Sequence, residues 1–127
     1  MRGREAVRFV IDIEVTDPRR FRELVAECVA ITREEAGVPV YDWYLAPDGD
    51  RARLYEAYES LDALRAHVTG PVFTEVGPRL LETCRFTRVE AFGAVPEEMR
   101  AGPGLAPTVW WVDPLAAVSG AAEAEGG

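Results

Sequence analysis

The chain contains no lysine, asparagine or glutamine, and it has one histidine and two cysteines. All 14 basic residues are therefore arginine, set against 22 acidic ones for a net charge of −8. An acidic chain without a basic run is poorly built to hold phosphate backbones or anionic lipid surfaces, so neither nucleic acid nor membrane is expected as a partner. The missing amides and lysine read as compositional bias and carry no mechanism. A single histidine without a Cys-x-x-Cys pair offers no metal-binding cluster. Cys28 falls on a helical apolar stripe and Cys84 at a helix-to-strand junction, so both read as small buried hydrophobes, not as a disulfide. No stretch approaches the ~20 apolar residues of a membrane span, and MRGREAVRFVIDIEV at the N-terminus lacks the apolar centre of a signal peptide. A cytoplasmic location is expected.

The 127 residues suit one main domain with a single core. Val7 to Val15 alternates, with Val7, Phe9, Ile11, Ile13 and Val15 on one face and Arg8, Asp12 and Glu14 on the other, as in a half-buried strand. Thr16-Asp17-Pro18 supplies a helix start, and Phe21, Leu24, Val25, Cys28 and Ile31 follow helical spacing until Gly37. Val38 to Ala46 and Arg51 to Ser60 flank Pro47-Asp48-Gly49-Asp50, which predicts a hairpin. Ser60 caps a short helix with Leu61, Leu64 and Val68 inward. Gly70-Pro71 opens a further helix whose Val72, Phe73, Val76, Leu80 and Leu81 are expected to face the core, with a kink at Pro78. Arg85 to Ala94 reads as the last strand of the domain.

Strand, helix, two strands, a helix pair and a strand suit a ferredoxin-like α+β fold, a four-stranded antiparallel sheet with helices on one face. The other face of such a sheet should be polar. Here the middle strands carry aromatics in both phases, Tyr41 and Trp43 against Tyr44, and Tyr55 against Tyr58. Two-sided aromatic burial implies a second sheet, most simply that of another copy of the chain, giving a homodimeric α/β barrel. Residues 1–95 would form this domain and 96–127 a C-terminal extension. The extension is expected to begin with a helical turn and to end in a disordered Gly/Ala/Glu run. Between them, Thr108 to Val112 is too apolar for water. It would pack as an edge strand on its own subunit or cross to the partner.

The candidate chemistry gathers between Leu54 and Phe73. His67 can take or give a proton near neutral pH, which suits a general base, although a helix histidine satisfied by a neighbouring carbonyl or by solvent is the alternative. Tyr41, Trp43, Tyr44, Tyr55 and Tyr58 include all four tyrosines of the chain, and such rings line either a pocket for a flat substrate or a core and interface. Glu56 shares the strand phase of Leu54 and Tyr58. A buried carboxylate there needs a partner, and Arg79 is one possible mate. Asp12, Glu14 and Asp42 read as solvated or interface charges.

The acidic and aromatic strand end (Glu56, Tyr58), the Ser-capped helix, Ala66-His67 and then Gly70-Pro71-Val72-Phe73 resemble the antibiotic biosynthesis monooxygenase family, which includes the quinol monooxygenases. The resemblance spans about Val7 to Ala94. It implies a dimeric α/β barrel that works without metal, flavin or haem, taking a small aromatic substrate (an anthrone, a quinol or an aromatic polyketide) and O2. By that resemblance His67 and Tyr58 are the catalytic candidates, with His67 or a tyrosine as the general base, and Trp43, Tyr44, Glu56, Phe73 and Arg79 the substrate-binding ones. The haem-degrading branch uses an Asn on the first strand and a His after the Phe. This chain has no Asn, and Gly77 stands near the place of that His. Non-oxidative polyketide cyclases and pure small-molecule binders share the barrel and remain alternatives.

Overall fold

A computed structural model describes residues 7–93 and 109–112. Strand β1 (Val7–Val15) leads to helix α1 (Pro18–Arg33), then to the hairpin of β2 (Val40–Leu45) and β3 (Arg51–Tyr58). Helix α2 (Leu61–Val68), a π-helical turn (Val72–Val76), a one-turn helix α3 (Gly77–Leu80) and strand β4 (Cys84–Phe92) come next, and β5 (Val109–Val112) completes the sheet. The order across the sheet is β2-β3-β1-β4-β5. The first four strands are antiparallel and make the ferredoxin-like sheet; β5 lies parallel to β4, Val89 opposite Val109, in the same chain. The helical turn expected after Val95 and the terminal Gly/Ala/Glu run lie outside the described residues.

Local chemistry accounts for the boundaries. Asp17 caps α1 by accepting from the Arg20 amide at 3.3 Å, with Pro18 in the first turn. The helix ends at Arg33, short of the glycine expected to stop it, because the Glu34 and Glu35 amides already take the Ile31 and Thr32 carbonyls. In the hairpin turn, Gly49 sits at φ +80° and Asp48 accepts from the Asp50 amide at 2.9 Å. Ser60 caps α2 through the Ala63 amide at 3.0 Å.

One expectation needs correction. The kink at Pro78 takes the form of a π-helical turn before α3. Pro78 offers no N–H to a preceding carbonyl, and the Gly77 amide reaches back five residues to Val72. That wider turn changes the phase of the residues after it. Val72, Val76 and Leu80 are buried, whereas Phe73 and Leu81 are 44% and 57% exposed and do not face the core. In β4, Thr87 is an extra residue between the pairs Asp12–Arg88 and Ile13–Phe86. This bulge lets Phe86 share the helix side with Val89 and Ala91, which strict alternation would forbid.

The core lies between the helices and the inward phases of β1 and β3, with Phe21, Leu24 and Cys28 of α1 packed against Phe9, Ile11 and Leu54. Each large side chain buried there contributes about 1.5–3 kcal/mol relative to exposure. Both cysteines are free and buried, and burial raises both thiols, Cys28 to about 11. The opposite face of the sheet carries Tyr44 and Tyr55, edge to face at 5.6 Å, beside the ion pairs Arg53–Asp12 and Arg85–Glu14, both 2.7 Å.

Candidate active site

Strand β3 presents Leu54, Glu56 and Tyr58 to the helix side, and α2 lies over the end of that strand with Leu64 and His67 buried. The imidazole is 2% exposed and packed on three sides by rings: Tyr41 at 5.4 Å, Tyr58 at 5.5 Å and Phe73 at 5.7 Å. Its hydrogen-bonding partner is a carboxylate, in place of the neighbouring carbonyl or solvent of the alternative reading. His67 Nδ1 lies 2.7 Å from Glu35 Oε1, and Nε2 lies 4.0 Å from Glu56 Oε1. The Tyr58 hydroxyl donates to that same Glu56 oxygen.

The electrostatics come from dehydration. Burial pushes the Glu56 carboxyl above its ordinary value of 4.5, opposed by the hydrogen bond from Tyr58 and by the His67 charge. Burial also pushes the Tyr58 phenol up, and the adjacent Glu56 carboxyl adds to it; Tyr41 is raised chiefly by burial. Both shifts favour the neutral phenol.

A cleft of about 440 Å³ opens beside it. Glu56 and His67 are its charged or titrating walls together with Tyr41, and the remainder is Ile11, Trp43, Leu54, Val72, Phe73, Gly77, Pro78, Leu80, Leu81 and Phe86. Three of the five large hydrophobic side chains left exposed among the described residues, Phe73, Leu81 and Phe86, line this one cleft. Exposed apolar surface concentrated at a cavity marks a place where an apolar molecule is received. Among the described residues no group of three His, Cys, Asp or Glu side chains converges as a metal-binding set.

Of the residues singled out from the sequence, Trp43, Glu56, His67 and Phe73 meet in this cleft. Tyr58 stands behind Glu56, fully buried and outside the cleft wall. Tyr44 is not brought here. It projects from the other face of the sheet, 59% exposed, because its strand phase is opposite to that of Tyr41 and Trp43. Arg79 does not pair with Glu56; its guanidinium reaches Glu27 of α1 at 3.0 Å, since the phase change at the π-helical turn carries it to the outer side of α3. Sequence reasoning missed Glu35, Tyr41 as a ring contact of His67, and Phe86. Glu35 lies 32 residues from His67, and no local pattern announces that contact.

The profile of the antibiotic biosynthesis monooxygenase family matches residues 7–78. No curated protein sequence matches the chain closely enough to count as a relative. Among solved structures, MupZ from Pseudomonas fluorescens is 18% identical with a TM-score of 0.75, covering 92% of this chain and 95% of that one. SnoaB, a cofactor-independent oxygenase from Streptomyces nogalater, is 19% identical with a TM-score of 0.62, covering 72% and 95%. Rv0793 from Mycobacterium tuberculosis is 28% identical with a TM-score of 0.57, covering 72% and 98%. The first two likenesses speak to the fold alone. The family profile, by contrast, spans more than half of the sequence and contains the hairpin, α2 and most walls of the cleft, and on that match the chain belongs to the antibiotic biosynthesis monooxygenase family.

Proposed function

We propose that this protein is a cofactor-independent monooxygenase that oxidises a flat, electron-rich aromatic, such as an anthrone, a quinol or an aromatic polyketide, with O2, and that His67 is its general base. The observation that carries the reading is a buried imidazole on the wall of an apolar cleft, with a carboxylate on Nδ1 and Nε2 turned to Glu56. A dry cleft makes the substrate's acidic C–H or O–H the natural proton donor to Nε2. The carbanion or phenolate so formed transfers one electron to O2, and the radical and superoxide recombine at carbon. The peroxide takes back the proton held by the imidazolium and then loses water. The net change is CH2 plus O2 to C=O plus H2O, with the substrate supplying the electrons. The chain's own contribution is orientation, exclusion of water and stabilisation of the developing anion. Tyr58 serves this scheme through Glu56 and does not itself take the proton.

The protein would act in the cytoplasm as a homodimer through the open sheet face, where in one copy Tyr44 is exposed and Tyr55 half-buried. Sedimentation velocity at micromolar concentration should give twice 14.0 kDa; a stable monomer would sink the dimer.

A second reading, a non-oxidative cyclase, draws on the Glu56 carboxyl, raised by burial beside the base, an acid and base pair suited to aldol closure. Oxygen uptake decides between them. With 1,8-dihydroxyanthrone, a monooxygenase consumes one O2 per quinone formed; product formation without O2 uptake would favour the cyclase, and no turnover of either kind a binding protein.

A further inference from the structure

Glu35 belongs to the link between α1 and β2, a stretch with no catalytic motif, yet its carboxylate sits on the imidazole. The fold makes that contact obligatory. Gly37 has φ +77°, and a Cβ built on it would stand 2.8 Å from Ala63 Cβ, so the link presses directly on α2 at a place where glycine alone fits. The Gly37 carbonyl accepts from the Glu59 amide at 2.9 Å, which fastens the same link just before α2 begins. Ala63 and His67 are four residues apart on α2 and therefore lie on one face. Docking Gly37 against Ala63 thus brings Glu35 against His67.

From this geometry we infer that Glu35 is the positioning residue of the site, holding His67 as the Nδ1–H tautomer so that Nε2 alone meets the substrate; the inference rests on His67 being the base. A carboxylate only accepts hydrogen bonds, so the proton in the 2.7 Å contact belongs to Nδ1 and the free lone pair to Nε2. The titratable groups around the ring are Glu35, Glu56, Tyr41 and Tyr58. An imidazolium formed on proton uptake therefore meets acids on both nitrogens. Glu35, 17% exposed where His67 is 2% exposed, keeps contact with water beside a buried ring. The arrangement is the orienting-carboxylate device of nucleophile and base triads, with the substrate's acidic hydrogen in the place of a nucleophile's.

His67 is the chain's one histidine, so a protein labelled with 15N-histidine yields a single imidazole spectrum. In the wild type the neutral ring should carry its proton on Nδ1 and leave Nε2 bare. Glu35→Gln, whose amide can donate as well as accept, should populate the Nε2–H form. With 1,8-dihydroxyanthrone it should lower kcat by about 10²–10⁴-fold with KM within about threefold, the split expected when transition-state geometry is lost and binding is not. Glu35→Asp, which keeps the acceptor, should recover the wild-type tautomer and part of kcat, and it serves as the readout should Glu35→Gln fail to fold. An Nε2–H ring in the wild type, or a Glu35→Gln protein with unchanged tautomer, would overturn the assignment. A tautomer shift in proteins that never turn over an anthrone would uphold Glu35 as the positioning residue and refute the oxygenase reading instead.

Discussion

The two faces of β3 use the same residue types for opposite ends. On the outer face of a single copy Arg53 pairs with Asp12, and half-buried Tyr55 meets Tyr44 edge to face. Glu56 and Tyr58, their neighbours on the strand, point under the helices, and there the carboxyl is raised by burial and the phenol donates to it. On the wet face opposite charges find each other and are screened, so each pair contributes little. On the dry face the same acid lies beside a histidine with no arginine in the cleft wall. Burial turns a structural charge into a chemical one.

That contrast can be broken most severely at His67. His67→Gln keeps a polar side chain of similar reach and should lower turnover about 10²–10⁴-fold, measured as initial rates with the anthrone. His67→Ala is a poorer probe, because three rings pack on the imidazole and its removal leaves a cavity that costs roughly 2–4 kcal/mol in addition.

Next in size, Tyr58→Phe removes the donor to Glu56 without changing the shape of the core. The buried carboxyl then lacks its hydrogen bond, and the protein should lose about 1–3 kcal/mol in urea unfolding. Turnover should fall far less than in His67→Gln. A rate loss equal to that of the histidine variant would return the phenol to the proton-transfer step.

A smaller effect should come from Glu56→Gln, read as stability against pH. The folded-state pKa of Glu56 is raised, so the unfolded chain ionises first as pH climbs past about 4.5 while the folded one stays neutral. Its contribution is therefore fully present below that pH and is lost as pH rises toward the folded value. Glu56→Gln cannot ionise and still accepts from Tyr58, so its thermal midpoint should gain on the wild type as pH rises above about 4.5. Parallel midpoints across that range would show that Glu56 is not desolvated. Smallest of all, a double-mutant cycle on Asp12 and Arg53 should give a coupling of at most about 1 kcal/mol, reduced by salt, with turnover unchanged.

Much of this contrast is legible in the sequence, and the gaps have physical causes. Period-two alternation in β1 and β3 identifies the inward residues, and Asp17, Ser60 and Pro47-Asp48-Gly49-Asp50 mark caps and turn, because those signals are local. A regular 3.6-residue reading puts Leu81 and Arg79 on the wrong side, because a π-helical turn shifts phase by an amount that such a reading does not contain. Phe86 is hidden by the bulge at Thr87, a feature fixed by pairing with β1 and not by the strand's own residues. Tyr44 carries the same aromatic signal as Tyr41 and Trp43, and strand phase alone separates it from them. Glu35 is invisible for a different reason: its partner is fixed by the close approach of Gly37 to Ala63, a tertiary contact with no local pattern.

The most direct test of the central claim, that the dry face takes a proton from its substrate before oxygen is involved, is to mix protein and 1,8-dihydroxyanthrone without O2 and record the absorbance spectrum. The account predicts the anthrone anion bound to the wild type at a pH where the free compound is neutral, and no anion with His67→Gln. Neutral anthrone bound equally by both proteins would contradict it.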